Sequence, residues 1–140
     1  MQRSSRSSCP ISKTLDIVGD KWSLLVVRQM VFGGSTTFKE LSEIPERIAT
    51  NILAERLERL ECAGIIYKLP DPADGRKSIY KPSEKCIDLM SVLVAMIDWG
   101  MKYGDDPSYP KHLVDEIVKD APKMAAEARA LGQKINKGVV

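Results

Sequence analysis

The segment "FKELSEIPERIATNILAERLERLECAGII", residues 38 to 66, constrains the fold more than any other part of the chain. Phe38, Leu41 and Ile44 recur at helical spacing on one face of a short helix, and Pro45 cannot continue it. After a sharp turn a second helix is predicted from about Ala49 to Ala63, with Leu53, Leu57 and Leu60 on one stripe and Gly64 as its stop. Thr50, Asn51, Ala54, Glu55 and Glu58 lie off that stripe. The second helix therefore glues itself to a core along one side and keeps a polar surface elsewhere, most of all near its start.

The flanking sequence supplies the remaining elements. Residues 1 to 8, rich in Ser and Arg, read as a flexible arm, and Pro10 opens a short helix that stops at Gly19. Asp20 is the expected N-cap of the next helix, where Trp22, Leu25, Val26 and Met30 are periodic until Gly33 and Gly34. "STTF" is short and β-favouring. "IIYKL" (65 to 69) and "KSIYK" (77 to 81) flank the Asp74-Gly75 turn signal and predict a hairpin with a long, basic-tipped loop. Ser83 should cap a long helix over "EKCIDLMSVLVAMIDWGMKYG", "DDPSYP" breaks the chain, and Lys111 to about Lys137 is helical in pattern with Pro122 as an interruption.

Composition narrows the function classes. A chain of 140 residues with 44% hydrophobic residues suits one ordinary folded unit. No apolar run approaches the roughly 20 residues of a membrane span, and the N-terminus lacks the apolar stretch of a secretory signal, so a cytoplasmic protein is expected. Cys9, Cys62 and Cys86 are too scattered for a disulfide scaffold, no Cys or His pair has metal-ligand spacing, and His112 is alone. No catalytic residue, metal or cofactor is expected. The 21 basic residues are nearly balanced by 19 acidic ones, so any nucleic-acid surface has to be a local patch.

The order helix, helix, strand, helix, turn, helix, hairpin, helix is that of a mainly α (α+β) winged helix-turn-helix with a small β-hairpin wing and added C-terminal helices. In such a module the start of the second helix of the pair enters the major groove of double-stranded DNA and the wing reaches flanking phosphates. Thr50, Asn51 and Ala54 are the candidate base-edge contacts: Asn can bond an adenine edge, and Thr and Ala offer methyl contact to thymine. Arg47, Arg56, Arg76 and Lys77 are the candidate phosphate contacts. Three segments follow: the arm 1 to 8, the winged helix-turn-helix 9 to 82, and C-terminal helices 83 to 140 that serve dimerisation. A rival reading is a winged-helix module whose wing and second helix bind another protein.

Beyond the pattern, the residues themselves resemble a known family. "CP" before the first helix, "LDIVGDKWSLLVVRQM", "FKELSEIP", "ILAERLERLECAGII", "SIYKPSEK" and the Trp99-Gly100 pair are similar to the HxlR-type, MarR-related transcriptional regulators, over about residues 9 to 102. The resemblance implies a homodimeric DNA-binding repressor or activator that dimerises through its terminal helices. It also implies that a cysteine matching Cys9 senses oxidants or electrophiles in some members, which leaves an oxidant or small-molecule effector open as a partner. Ala49 stands where the family usually has a capping Ser, and Cys86 where it usually has Gly.

Two sets of residues carry further expectations. Cys9 lies near Arg3, Arg6 and Lys13, and nearby cations favour the reactive thiolate, so it is a redox-sensing candidate or else an incidental thiol; Cys62 and Cys86 are expected to be buried and inert. The helix after Ser83 is apolar around most of its circumference, which one core cannot cover. The extra C-terminal helices could cover the rest within one chain, but a helix of a second subunit is the commoner solution in proteins this one resembles, so Ile87, Met90, Val94, Met96, Ile97 and Trp99 are expected to form the dimer interface.

Overall fold

Pro10 starts α1 (Pro10–Val18) in its first turn, where a missing N–H leaves no bond unmade. The chain is seen here in a computed structural model that describes residues 6–139. Arg3 of the expected arm lies outside the described residues, whereas Arg6 is held by an ion pair to Asp16 at 2.8 Å and Ser7 Oγ accepts from the Cys9 backbone at 3.0 Å. α2 (Ser23–Val31) begins two residues later than the sequence pattern expects: Trp22, not Asp20, is its N-cap residue, and Asp20 Oδ2 instead holds the turn just before the helix, accepting from the backbone N–H groups of Trp22 at 2.9 Å and Ser23 at 3.0 Å.

A capping box opens α3 (Phe38–Ser42), with Glu40 N donating to Thr37 Oγ1 and Thr37 N donating to Glu40 Oε1, each at 3.1 Å. That cap explains why the β-favouring "STTF" forms no strand. Helix begins directly after Thr37, leaving only one bridge to Ile79 and the Tyr80 N–H donated to Thr36 O at 2.7 Å. α4 (Thr50–Cys62) ends in a Schellman turn: Gly64, at φ 73°, lets Ile65 N reach Leu60 O at 2.9 Å and Gly64 N reach Glu61 O at 3.0 Å. β1 (Ile66–Pro70) and β2 (Ser78–Pro82) pair antiparallel, Ile66 opposite Pro82 and Pro70 opposite Ser78, one residue further along than the sequence pattern places them.

Ser83 caps the next helix and stitches it to the end of α4, its Oγ lying 2.6 Å from Gly64 O and 2.8 Å from Ile65 O. The expected single helix from residue 84 is broken into α5 (Glu84–Asp88) and α6 (Met90–Tyr103), because Leu89 N bonds Cys86 O, three residues back, and tightens the turn. Pro122 likewise begins a helix instead of interrupting one: α7 (Lys111–Lys119) ends at Asp120, and α8 (Ala121–Asn136) carries the proline in its first turn.

One buried cluster joins these elements. Val26 and Val27 of α2, Leu41 of α3, Leu53, Leu57 and Leu60 of α4, Ile66 of β1 and Cys86 of α5 are essentially inaccessible. Each such aliphatic side chain contributes about 1.5–3 kcal/mol through burial. α8 closes the cluster with Ala128, fixes α5 through a two-pronged Arg129–Glu84 pair at 2.7 and 2.8 Å, and lays Gly132 against Tyr67, where a Cβ would come within 2.5 Å of the hydroxyl.

Two expectations are corrected here. Ile87 and Met90 belong to this core and are not free to form a dimer interface; with Cys86 and Leu93 they occupy successive turns on the inward face. Cys62 is exposed, because two residues beyond Leu60 the helix has turned about 200° away from its buried stripe. Trp99, expected at the dimer interface, lies outside this core and is 68% exposed in the single chain. Among the described residues no helix is long and apolar enough to cross a membrane.

Candidate nucleic-acid interface

The turn between α3 and α4 is held from both sides. Ile44 and Ile48 are buried beneath it, and the Arg28 guanidinium of α2 grips both carboxylate oxygens of Glu46 at 2.7 Å. Hydrogen bonds from Arg28 hold the Glu46 carboxyl below its ordinary range. Between these anchors Arg47 takes φ 59°, a left-handed conformation that costs a non-glycine residue about 1–2 kcal/mol, and donates its N–H to Ile44 O at 3.0 Å. The kink this makes brings α4 in across α3.

α4 starts without a side-chain cap, since Ala49 has no oxygen to offer. Its first N–H groups therefore face outward as donors, with the positive end of the helix dipole behind them. Thr50, Asn51 and Ala54 are exposed beside them, Asn51 opposite the buried leucines and the other two on its near flank. The sequence-predicted base-edge residues thus share one accessible surface at the helix start.

Of the four phosphate candidates, Arg47 is exposed at the edge of that surface and makes no ion pair among the described residues. Arg56 departs from expectation. Its Nε lies 2.8 Å from Asp20 Oδ2, another nitrogen is paired with Glu55, and its side chain is only 18% exposed, so it fastens α4 to the start of α2. Burial alone would raise the Asp20 carboxyl, but hydrogen bonds from Ser23, Arg56 and the two backbone N–H groups outweigh it and hold the pKa far below the usual carboxylate range. Arg59 also leans on Glu55, at 3.7 Å.

The wing is ordered within itself. Asp71 N donates to Lys77 O at 2.9 Å, Lys77 N to Asp74 O at 2.9 Å, and the Asp71 and Asp74 side chains accept from Ala73 N and Arg76 N at 2.8 and 3.1 Å. Arg76 and Lys77 stand exposed at its tip, as the sequence pattern expects, but Arg76 Nε is paired with Asp74 Oδ1 at 3.2 Å. The tip is consequently charge-balanced rather than basic, although a pair this exposed is weak and readily exchanged for a phosphate. Sequence reasoning missed Asp20 and Glu46 as the residues that aim this surface; Asp20 had shown only its capping signal.

Comparison with known proteins identifies the family. The family model of the HxlR-like helix-turn-helix matches residues 17–108. The HTH-type transcriptional regulator YdeP of Bacillus subtilis (strain 168) is 32% identical over 97 residues, covering 69% of this chain and 75% of YdeP. Of three mycobacterial HTH-type relatives the chain spans 62% of the length. Among solved structures, PA1607 superposes with a TM-score of 0.67 at 36% identity, over 74% of this chain and 71% of that one. The reduced form of the transcriptional regulator YodB from B. subtilis superposes with a TM-score of 0.57 at 30% identity, over 71% of this chain and all of YodB. With its winged helix-turn-helix and a family match over residues 17–108, the chain belongs to the HxlR-like helix-turn-helix family of transcriptional regulators.

Proposed function

We propose that the chain acts in the cytoplasm as a homodimer that reads a two-fold DNA operator and catalyses no reaction. The observation that carries this reading is the exposed start of α4, where Thr50, Asn51 and Ala54 sit beside uncapped N–H groups on a helix clamped by Asp20–Arg56. Asn51 and Thr50 meet base edges in the major groove, Arg47 and the backbone N–H groups meet phosphates, and Arg76 and Lys77 meet the phosphates flanking the site. The second subunit docks on the outward stripe of α6, Val92, Met96, Trp99 and Tyr103, which are 39%, 52%, 68% and 64% exposed, with Val94 and Ile97 beside it. α1 adds Ile11 and Leu15, 71% and 53% exposed. Two copies of α4 about 34 Å apart then address half-sites one turn apart.

Redox response through Cys9 is part of this reading. Cys9 is exposed at the start of α1, and YodB has been solved in reduced, quinone-bound and diamide-treated forms. The rival, a protein-binding winged helix, draws on the charge-balanced wing tip and the exposed Glu55 and Glu58. Binding to random and selected duplexes at two salt concentrations decides between them. Tight binding with a steep salt dependence and a preferred palindrome supports the DNA reading; no binding even at low salt overturns it.

A further inference from the structure

A cavity of about 370 Å³ opens between the end of α2, the second half of α6 and the loop that leads to α7. Its apolar walls include Phe32, Leu93, Met96, Met101 and Tyr109. Three charged residues line it, Arg28, Asp105 and Asp106, and their states differ. Arg28 is already neutralised, because both terminal nitrogens hold Glu46 at 2.7 Å and Nε reaches Gln29 Oε1 at 3.1 Å. Asp105 and Asp106 have no basic partner among the described residues. Asp106 accepts from the Ser108 backbone at 2.9 Å and from its hydroxyl, which fixes the carboxylate without neutralising it. Neither neighbouring lysine compensates them: Lys111 is shared by Asp98 and Asp115 at 3.2 and 3.1 Å, and Lys102 lies over the Tyr103 ring at 5.3 Å.

An open apolar cavity with two exposed, unpaired carboxylates at its mouth has a definite preference. We propose that this cavity binds a small hydrophobic organic cation, its aromatic or alkyl body against Phe32, Met96, Met101 and Tyr109 and its charge beside Asp105 and Asp106. Ring faces and thioethers are polarisable and attract a desolvated cation, and the volume falls in the range of small-molecule sites. An organic anion would meet two carboxylates and an arginine whose charge is already paired with Glu46, so the charge of the lining discriminates against it. Met96 and Ile97 border both this cavity and the face proposed for the second subunit, so the site requires that the second copy packs on Val92, Trp99 and Tyr103 without entering the cavity; a copy seated in it would leave no room for a ligand. The site stands independently of DNA binding, since nothing in the argument uses the operator.

The test is calorimetric titration of the full chain with (1-naphthylmethyl)trimethylammonium and, separately, with 1-naphthylacetate, which carries a similar ring and the opposite charge. The cation should saturate one site per chain, and the anion should bind at least about tenfold more weakly. The double variant Asp105→Asn, Asp106→Asn should weaken the cation by about fivefold or more without lowering the melting temperature. Gly100→Leu should abolish binding while keeping the fold, because a Cβ at Gly100 meets no atom within 4 Å and a larger side chain grows into open space. Anion binding as tight as cation binding, an unaffected double variant, or no saturable binding to the wild type would each overturn the proposal.

Discussion

Arg56 Nε donates to Asp20 Oδ2 across 2.8 Å, so the carboxylate that holds the turn into α2 also anchors the middle of the recognition helix α4. One side chain thereby fixes the angle between two helices that share no local sequence. Asp20→Ala should cost roughly 2–3 kcal/mol, combining the lost turn hydrogen bonds with a broken, half-buried pair, and is read by denaturant unfolding.

The same carboxyl gives a pH dependence with a defined sign. Its folded pKa lies below the ordinary 3.8, so between the two values the unfolded chain binds more protons. The stabilisation is full above that ordinary value and is lost as pH falls below it toward the folded value. Asp20→Asn should flatten the decline of stability below pH 3.8; a profile unchanged from wild type would show that other carboxyls dominate it.

Arg47 separates fold from function. Arg47→Gly relieves a left-handed residue by about 1 kcal/mol, offset by the greater freedom of glycine in the unfolded chain, so stability should change little. Duplex affinity should nevertheless fall, with a salt slope smaller by about one, as also for Lys77→Ala. Asn51→Ala should instead relax preference at one or two positions, at about 1–3 kcal/mol; selected sites identical to those of wild type would remove Asn51 from base reading.

α6 carries two apolar stripes with opposite fates. Trp99→Asp should leave the chain folded and dissociate the dimer, weakening palindrome binding through loss of the second half-site, whereas Met90→Asp should unfold it, since Met90 is 2% exposed. Sedimentation resolves these outcomes. A wild-type monomer at micromolar concentration that still bound a palindrome tightly would refute the dimer.

Alkylation of the native protein should label Cys9 fastest, Cys62 next, and Cys86 only on unfolding, because burial pushes the Cys86 thiol up to about 12. Labelling of Cys62 ahead of Cys9 would take away the basis for a sensor at Cys9.

The sequence by itself determined what is local. The Leu53, Leu57, Leu60 stripe, the break at Pro45, the cap at Ser83, the stop at Gly64 and the Asp74-Gly75 turn each depend on residues a few positions apart, whose backbone preferences hold in any context. That was enough for the winged helix-turn-helix and for the exposed start of α4. Tertiary structure decided what depends on where elements meet. Arg56 is taken by Asp20 at a separation of 36 residues, Arg28 by Glu46 at 18 and Glu84 by Arg129 at 45, and no periodicity in the chain encodes such pairings. The apolar circumference of the segment after Ser83 did not tell that Ile87 of α5 and Met90 of α6 face the chain's own core while Val92 and Trp99 face out. Which stripe is buried first is set by the packing of α5 against α8 and of α6 against α2, a matter of shape and connection that hydrophobicity does not specify.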